Sequence, residues 1–563
     1  MICRSPVVLG KIGNSASPLG AEVVSTHPIP LGTYATIEIR YRDPYSGSEE
    51  ALCLVGVVSS TAFRRSVPVS GAAIVTSGEL YDEFEGGLGK YGRSFLRIIA
   101  AIRRSGEVTV PRVPPPPDAQ VYLAPSEILS KLFSSSSDAS IPIGHLVGRP
   151  DVVVKVNVNA LTKHLFITGA TGSGKSNTVA VILDRVTGLG GVTVVYDVHG
   201  EYVTLRPMHG IVRTVELSIN PLRIPPSVLA KMIVPESAAT VQRRLVVRAL
   251  RRCRDEFAPV LSEHGVTRKA LAVIKQRMAK SSGLEQRSET GDEGRISIDE
   301  ELVRAFTACL SGEVYNVGRS RSKGVTEKSI ESAVMKVEEF FEYARISFSQ
   351  PSIEDLISPG TILVLDASAH DDEQKDYMLK VVADEILWYA RHNYVVGRPT
   401  PLLFVVEEAH LFVSASRVTV SRHSIERLAR EGRKFGVCLA LVSQRPRNID
   451  PNTVSQIQNL VVMKLVQDSD QRAVMDVSDA LTEDLVGSLA SLATGEALVL
   501  GEWIGRFPAF VKIDMHPGKR AGATPDIVSI WREFYEAVKR EAEEASMHRE
   551  AVEELRELLG EEP

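Results

Sequence analysis

The pattern of apolar and polar positions changes character at about residue 150. Before it, short segments rich in Val, Ile, Thr and Tyr, such as 34–41 and 51–59, are separated by turns that contain glycine. This pattern predicts a small β-barrel and a linker over residues 1–150. After it, buried strands are followed by amphipathic helices, and that alternation predicts a parallel α/β sheet.

Short apolar runs predict the strands of that sheet, and one long insertion interrupts them. Residues 222–348 show helical periodicity, which predicts a helical bundle mounted on the sheet. We therefore expect the sheet-forming core at 151–221 and 349–515, and a C-terminal helical extension at 516–563. The predicted buried strands lie at 165–168, 192–196, 362–365, 402–406, 437–442 and 461–466.

Composition and charge narrow the classes of function. The 563 residues are 44% hydrophobic and 24% charged, which is typical of a globular protein with several domains. A net charge of −5 excludes a protein that wraps nucleic acid by bulk positive charge. Residues 532–563 hold 11 acidic and five basic residues, so the remaining chain is close to neutral at +1. A local basic groove is therefore compatible with the overall charge.

Membrane and disulfide signals are weak in this sequence. No apolar run reaches the roughly 18 residues that a membrane helix needs, and the first residues lack a signal-peptide pattern. We therefore expect a cytoplasmic protein without a membrane segment. The five cysteines are scattered, odd in number and never spaced CxxC, which favours reduced thiols over a disulfide framework or a zinc site.

The first chemical motif is GATGSGKS at residues 169–176, which fits the full G-x-x-x-x-G-K-S pattern. It follows a predicted strand directly and opens an amphipathic helix, which is the context that a phosphate-binding loop requires. We expect Lys175 to reach the β- and γ-phosphates of a nucleoside triphosphate and Ser176 to ligate Mg²⁺. The residues predicted to cradle the nucleotide are Gly169, Ala170, Thr171, Gly172, Ser173, Gly174, Lys175, Ser176 and Asn177.

Carboxylates follow two other predicted strands, at the sheet edge where such folds bind ligands. Glu407 and Glu408 come directly after 402–406. We expect Glu407 to hold Mg²⁺ through water and Glu408 to polarise the attacking water, a pair of solvated acids being the alternative. Asp197 ends another strand and is either a second acidic group of the site or a helix-capping residue. His199 is expected only to hydrogen-bond within its turn.

A basic segment precedes the strand that ends near Gln444. Arg430 and Arg433 are three residues apart in a predicted helix, so they face the same side. An arginine that reaches a neighbouring subunit's nucleotide would stabilise the charge of the transition state. Pairing with Glu426 and Glu431 on a solvated face is the alternative. The amide of Gln444, at a strand end, is expected to sense the γ-phosphate or the attacking water.

Four segments, TGATGSGKSNT, YDVHGEY, VVEEAH and LAREGRKFGVCLALVSQRP, occur in this order. In this arrangement the chain resembles the HerA family of archaeal hexameric DNA translocases, within the HerA/FtsK superfamily. The resemblance implies a RecA-like P-loop ATPase core that uses ATP and Mg²⁺. It implies nucleotide and metal binding by Lys175 and Ser176, catalysis by Glu408, a sensor at Gln444, a second acidic group at Asp197 and a trans-acting arginine finger at Arg433, with Arg430 as the alternative.

The same resemblance implies a function and its partners. It predicts a homo-hexameric, ATP-dependent translocase or helicase on double-stranded DNA, which works with a NurA-type nuclease to resect DNA ends during double-strand-break repair. A DNA pump of the segregation or conjugation type is one alternative. A nucleotide-stabilised ring that scaffolds a nuclease is another.

A cationic stripe is a candidate for gripping the DNA backbone. Arg244, Arg248 and Arg252 lie at i, i+4 and i+8 of a predicted helix, so they share one face. Copies of this stripe around a pore would neutralise phosphates without reading sequence. A surface helix whose arginines pair with acids elsewhere is the alternative.

Overall fold

A computed structural model gives the structure of most of the chain. It describes residues 3–42, 47–65, 90–134, 137–236, 238–282, 297–320, 325–478, 481–505, 507–518, 527–529, 531–536 and 538–540. Met1–Lys519 form one compact unit and Arg520–Pro563 form a second.

The N-terminal strands form the predicted barrel. The strands are β1 (Val8–Ser17), β2 (Gly20–Ser25), β3 (Tyr34–Arg42), β4 (Glu49–Arg65), β5 (Lys90–Arg103), β6 (Val108–Thr109) and β7 (Gln120–Leu123). Neighbouring strands pair antiparallel in the order β2-β1-β7-β3-β4-β5, and β2 also pairs with β5, which closes a six-stranded barrel. Alternate side chains such as Val23, Ile37 and Leu54 fill its interior.

The remaining strands form one central sheet. They are β8 (Ser140–Leu146), β9 (Arg149–Asn157), β10 (Leu165–Thr168), β11 (Val192–Asp197), β12 (Ile211–Glu216), β13 (Thr361–Asp366), β14 (Leu402–Val406), β15 (Val437–Ser443), β16 (Asn459–Met463), β17 (Glu496–Leu500) and β18 (Ala509–Ile513). Their order is β12-β13-β11-β14-β15-β10-β16-β17-β18-β8-β9. From β12 to β16 neighbours are parallel, as predicted, whereas β17, β18, β8 and β9 extend the sheet antiparallel.

The start of the sheet differs from the expected residue 151, because β8 already pairs with β18. Pro142 and Gly144 interrupt the alternation of β8, and both residue types are depleted in strands. Sequence periodicity alone therefore gave no signal for this strand.

Helices cover the sheet and form the predicted inserted bundle. They are α1 (Ser126–Phe133), α2 (Lys175–Gly188), α3 (Pro226–Ile233), α4 (Thr240–His264), α5 (Arg268–Ser282), α6 (Ile298–Arg319), α7 (Glu327–Tyr343), α8 (Ile353–Leu356), α9 (Asp372–Val395), α10 (Arg422–Glu431), α11 (Pro451–Val454), α12 (Asp468–Met475) and α13 (Glu483–Ser488). Helices α3 to α7 form the bundle, in which Phe257 and Phe306 pack against each other and against Phe348, which follows α7. This aromatic cluster joins the core of the sheet.

Local sequence signals explain several helix boundaries. Ser297 and Glu300 form a reciprocal capping box at the start of α6. The side chains of Thr326 and Asp371 accept backbone N–H groups at the starts of α7 and α9. In α2, Val179, Ile182, Leu183 and Val186 are buried, as their helical spacing predicts.

The cysteine prediction is wrong for four of the five residues. Cys3 and Cys53 form one disulfide, with Cα atoms 5.6 Å apart, and Cys253 and Cys309 form another, with Cα atoms 6.2 Å apart. Cys438 is free and buried. The paired residues are 50 and 56 positions apart in sequence, so the fold brings them together and no local motif marks them.

The cationic stripe on α4 is divided in the structure. Arg252 forms an ion pair with Glu313 at 2.7 Å, as the pairing alternative expects. Arg244 and Arg248 are exposed. The guanidinium groups of Arg243 and Arg254 donate to backbone carbonyls of neighbouring segments. The stripe is therefore an exposed helix face on which one of the three arginines, Arg252, already forms an ion pair.

The second unit is helical where it is described, at 527–529, 531–536 and 538–540, and Trp531 and Phe534 are exposed there. The predicted continuation of the C-terminal helix beyond residue 540 lies outside the described residues. Among the described residues, no helix is long and apolar enough to cross a membrane.

Candidate active site

The glycine-rich loop lies between a buried strand and a helix, as its motif requires. Residues 169–174 connect the end of β10 to the start of α2. Gly172 and Gly174 have φ angles of +76° and +109°, a region that favours glycine. A Cβ atom on Gly169 would lie 2.7 Å from the Met463 Cβ. The loop therefore needs glycine at these positions, and it opens onto the positive end of α2.

Lys175 is held over this loop. Its Nζ donates to the carbonyl oxygens of Gly169 at 3.0 Å and Ala170 at 3.1 Å. Burial lowers the pKa of Lys175, and the negative charges of Glu408 and Glu407 oppose that shift. An ammonium group, a helix N-terminus and a hydroxyl at Ser176 together fit a polyphosphate with its divalent cation.

Asn177, which is predicted to help cradle the nucleotide, uses its side-chain amide to contact another segment of the chain. Its Nδ2 donates to the carbonyl oxygen of Asp514 at 2.8 Å, and its Oδ1 accepts the backbone N–H of His516 at 2.9 Å. The side chain therefore holds a segment that follows β18. No local pattern marks this contact, because the partner lies more than 300 residues away.

The two glutamates follow β14, which is separated from β10 by β15 alone. The Glu408 side chain is only 12% exposed, so the solvated-acid alternative does not describe it. His410 Nδ1 lies 3.1 Å from Glu408 Oε2 and 3.2 Å from Ser443 Oγ. Burial raises the pKa of Glu408, but the contact with His410 and the charges of His410, Lys175 and His199 outweigh burial, so the pKa is lowered overall. These contacts favour the ionised form of Glu408.

Asp197 is buried at the end of β11, and its oxygens accept three backbone N–H groups. The donors are His199 at 3.3 Å, Glu201 at 3.1 Å and Tyr202 at 2.7 Å. Burial raises the pKa of Asp197, while these hydrogen bonds act to lower it. The carboxylate therefore organises the turn that follows the strand, and because no helix begins in that turn, Asp197 does not have the helix-capping role that was the alternative.

That turn carries a residue that sequence reasoning missed. Tyr202 is fully buried, and its hydroxyl donates to Glu407 Oε1. The two residues are 205 positions apart, so spacing could not connect them. Only the presence of Tyr202 within the YDVHGEY segment hinted at a role. His410, which contacts Glu408, likewise has no signal for its role except its place in the segment VVEEAH.

Gln444 lies beside the glycine-rich loop. In the parallel register Thr168 pairs with Ser443, so the next residues of both strands are neighbours at the same edge. The Thr171 hydroxyl donates to Gln444 Oε1 at 2.6 Å. The sheet thus brings Gln444 to the same edge as Lys175 and the glutamates.

Arg430 and Arg433 lie at the amino ends of the strands, opposite the end that carries the glycine-rich loop. Both precede β15, whose opposite end carries Gln444, and both are exposed. Among the described residues neither forms an ion pair, and Glu426 is paired with Arg422 at 2.8 Å. Burial lowers the pKa of His164, and the positive charge of Arg433 lowers it further. His164 precedes β10, so Arg433 is a strand's length away from its own loop.

Comparison with known proteins places this site in context. Residues 141–386 match the family model described as the helicase HerA central domain. The DNA double-strand break repair helicase HerA of Sulfurisphaera tokodaii is 32% identical over 542 residues, which are 95% of this chain and 99% of that protein. The proteins of the same name from Saccharolobus solfataricus and Sulfolobus acidocaldarius are 29% and 33% identical over 95% and 80% of this chain, and over 97% and 83% of their own lengths.

Proposed function

The chain belongs to the HerA helicase family, and from this we propose that it is an ATP-driven motor that moves along double-stranded DNA during double-strand-break repair. The observation that carries the proposal is the gathering of Lys175, Glu408 and Gln444 at one edge of the sheet. A lysine on a glycine-rich loop, a buried ionised carboxylate and a polar amide are the groups that hydrolysis of a phosphoanhydride needs.

Each residue has a distinct task in this proposal. Lys175 neutralises phosphate charge, and Glu408 orients and polarises the attacking water. Ser176 and Glu407 would hold Mg²⁺, and the Tyr202 hydroxyl keeps the Glu407 carboxylate in place. When bound, ATP supplies the reactive phosphoanhydride, and Mg²⁺ neutralises part of the negative charge of its phosphates. Gln444 would sense the γ-phosphate, since it already contacts the loop through Thr171.

We further propose that the active form is a homo-hexamer in which Arg433 completes the neighbour's site. The exposed position of Arg433 and its distance from its own loop support a role on another copy. Arg430 is the alternative finger. The same proposal includes partnership with a NurA-type nuclease, which rests on the resemblance to the family. It also divides the chain into the barrel, the core, the inserted bundle and the C-terminal extension as separate domains.

The proposed motor is tested by ATP turnover with and without blunt duplex DNA, on protein sized by light scattering. We expect a mass of six copies and turnover that rises severalfold when duplex is added, because a translocase couples hydrolysis to its track. Negligible turnover that ignores DNA, together with undiminished stimulation of the nuclease, would instead support the scaffolding ring.

Tyr202→Phe removes one hydroxyl and keeps the buried ring. We expect the Mg²⁺ concentration for half-maximal turnover to rise by about tenfold, because the metal-side carboxylate loses the group that orients it. The KM for ATP at saturating Mg²⁺ should change little. Turnover measured against Mg²⁺ concentration checks this result.

The matched control is Tyr196→Phe. Tyr196 is also fully buried, and its hydroxyl donates to the Lys375 carbonyl oxygen at 2.7 Å, away from Glu407. The Tyr196→Phe variant should lose about as much free energy of unfolding as Tyr202→Phe, but its Mg²⁺ concentration for half-maximal turnover should not change. An equal Mg²⁺ shift in both variants would show that Tyr202 acts through stability alone.

A further inference from the structure

An exposed methionine stands beside the start of the loop helix α2. It lies on a segment that follows β18, residues 514–518, called here the strap. Met515 is 79% exposed, whereas His516, next to it, is 5% exposed. The strap is fastened on both sides of Met515, because Asn177 bonds the backbone of Asp514 and of His516.

Two more contacts fix the strap to α2 and its surroundings. Arg185, on α2, forms an ion pair with Asp514 at 3.2 Å. The Arg206 backbone N–H donates to the Gly518 carbonyl oxygen at 3.0 Å, and a Cβ atom on Gly518 would lie 1.8 Å from the Arg206 oxygen. Met515 is therefore an apolar side chain presented to solvent by a fixed backbone.

The neighbours of the loop distinguish the two ends of a bound triphosphate. Gln444 and Glu408 follow β15 and β14, on one side of β10, and these are the groups that would act on the γ-phosphate. On the other side of β10, the Gly495 N–H donates to the Ser173 carbonyl oxygen at 2.8 Å, and the Ile513 N–H donates to the Gly495 carbonyl oxygen at 2.9 Å. The strap leaves the sheet on this second side.

We propose that Met515 is the platform for the nucleobase of the bound nucleotide, a subsite for the flat face of a purine. The assignment rests on the proposed binding of ATP at the loop. The γ end of a bound triphosphate would lie toward β15, where Gln444 and Glu408 are placed, so its sugar and base would lie toward β16 to β18. Asn177, which follows Ser176 directly, fastens the strap at that point. A polarisable thioether packs well against an aromatic ring, and a fixed strap presents it without ordering a loop.

The test compares two ligands of the same loop. Met515→Ala should raise the ATP concentration for half-maximal turnover by about three- to tenfold, the size of one sulfur–aromatic contact, with kcat unchanged. Inhibition by inorganic tripolyphosphate, which has no base, should be the same as in the unchanged protein. Met515→Leu keeps the apolar surface but lacks the sulfur, so it should restore only part of the ATP affinity. Met335→Ala, at a 54% exposed methionine on α7, is the matched control and should change neither ligand.

The outcomes separate the subsite from the proposed function. If Met515→Ala weakens ATP and tripolyphosphate equally, the strap acts on the loop and Met515 is not a base platform. If it weakens neither, the base lies elsewhere. If the unchanged protein binds neither ligand, the proposed nucleotide site itself fails.

Discussion

Glu408→Gln is expected to abolish ATP turnover while ATP binding and assembly persist. The substitution keeps the shape of the side chain but removes the charge that polarises the attacking water. Loss of a positioned general base costs about 10²- to 10⁴-fold in rate. The effect should lie near the upper end, because Glu408 is buried, ionised and held by a backbone with φ of +46°. Steady-state hydrolysis and equilibrium nucleotide binding measure the two halves of this expectation.

The matched control is Glu385→Gln. Glu385 is a partly buried glutamate on α9, and burial raises its pKa, but it lies against the N–H of Ile353 and not at the loop. Its replacement should leave turnover near normal. Near-normal turnover in purified Glu408→Gln would contradict the assignment of the catalytic carboxylate.

Arg433→Ala is expected to bind ATP and assemble normally but to hydrolyse it about 10³-fold or more slowly. A trans-acting arginine stabilises charge that develops only in the transition state, and its removal costs that much in other P-loop enzymes. The fold should tolerate the change, because Arg433 is exposed and forms no ion pair within the described residues. Single-turnover hydrolysis with saturating ATP measures the loss.

Arg430→Ala is the comparison for this variant, since Arg430 is equally exposed at the end of α10. It should retain most of its turnover. If Arg430→Ala lost ATP hydrolysis and Arg433→Ala kept it, Arg430 would be the arginine finger.

Local signals in the sequence predicted much of this site. The glycine-rich loop needs particular residue types at fixed spacing, and the strands before it and before Glu407 are continuous apolar runs. Because parallel strands end at the same edge, strand-end residues such as Glu408 and Gln444 were expected to meet at the loop. The structure brings them to that edge.

The remaining features depend on contacts that only the folded chain creates. Tyr202 meets Glu407, Asn177 meets the strap, and Cys253 meets Cys309 across large sequence separations. No periodicity or motif encodes such pairs. The strand β8 was missed for a different reason, since its proline and glycine hide its alternation although its register with β18 is regular.

We propose that each hydrolytic site is built from two copies of the chain, and mixing two inactive variants in one ring tests this arrangement. Arg433→Ala lacks the finger and Lys175→Ala lacks a working loop, so each variant alone should be inactive. If subunits mix at random in a ring with head-to-tail interfaces, about a quarter of the sites pair an intact loop with an intact finger. We therefore expect mixed rings to regain DNA-stimulated ATP turnover. If Arg433 served its own subunit, every copy would lack one essential group and mixing would restore nothing.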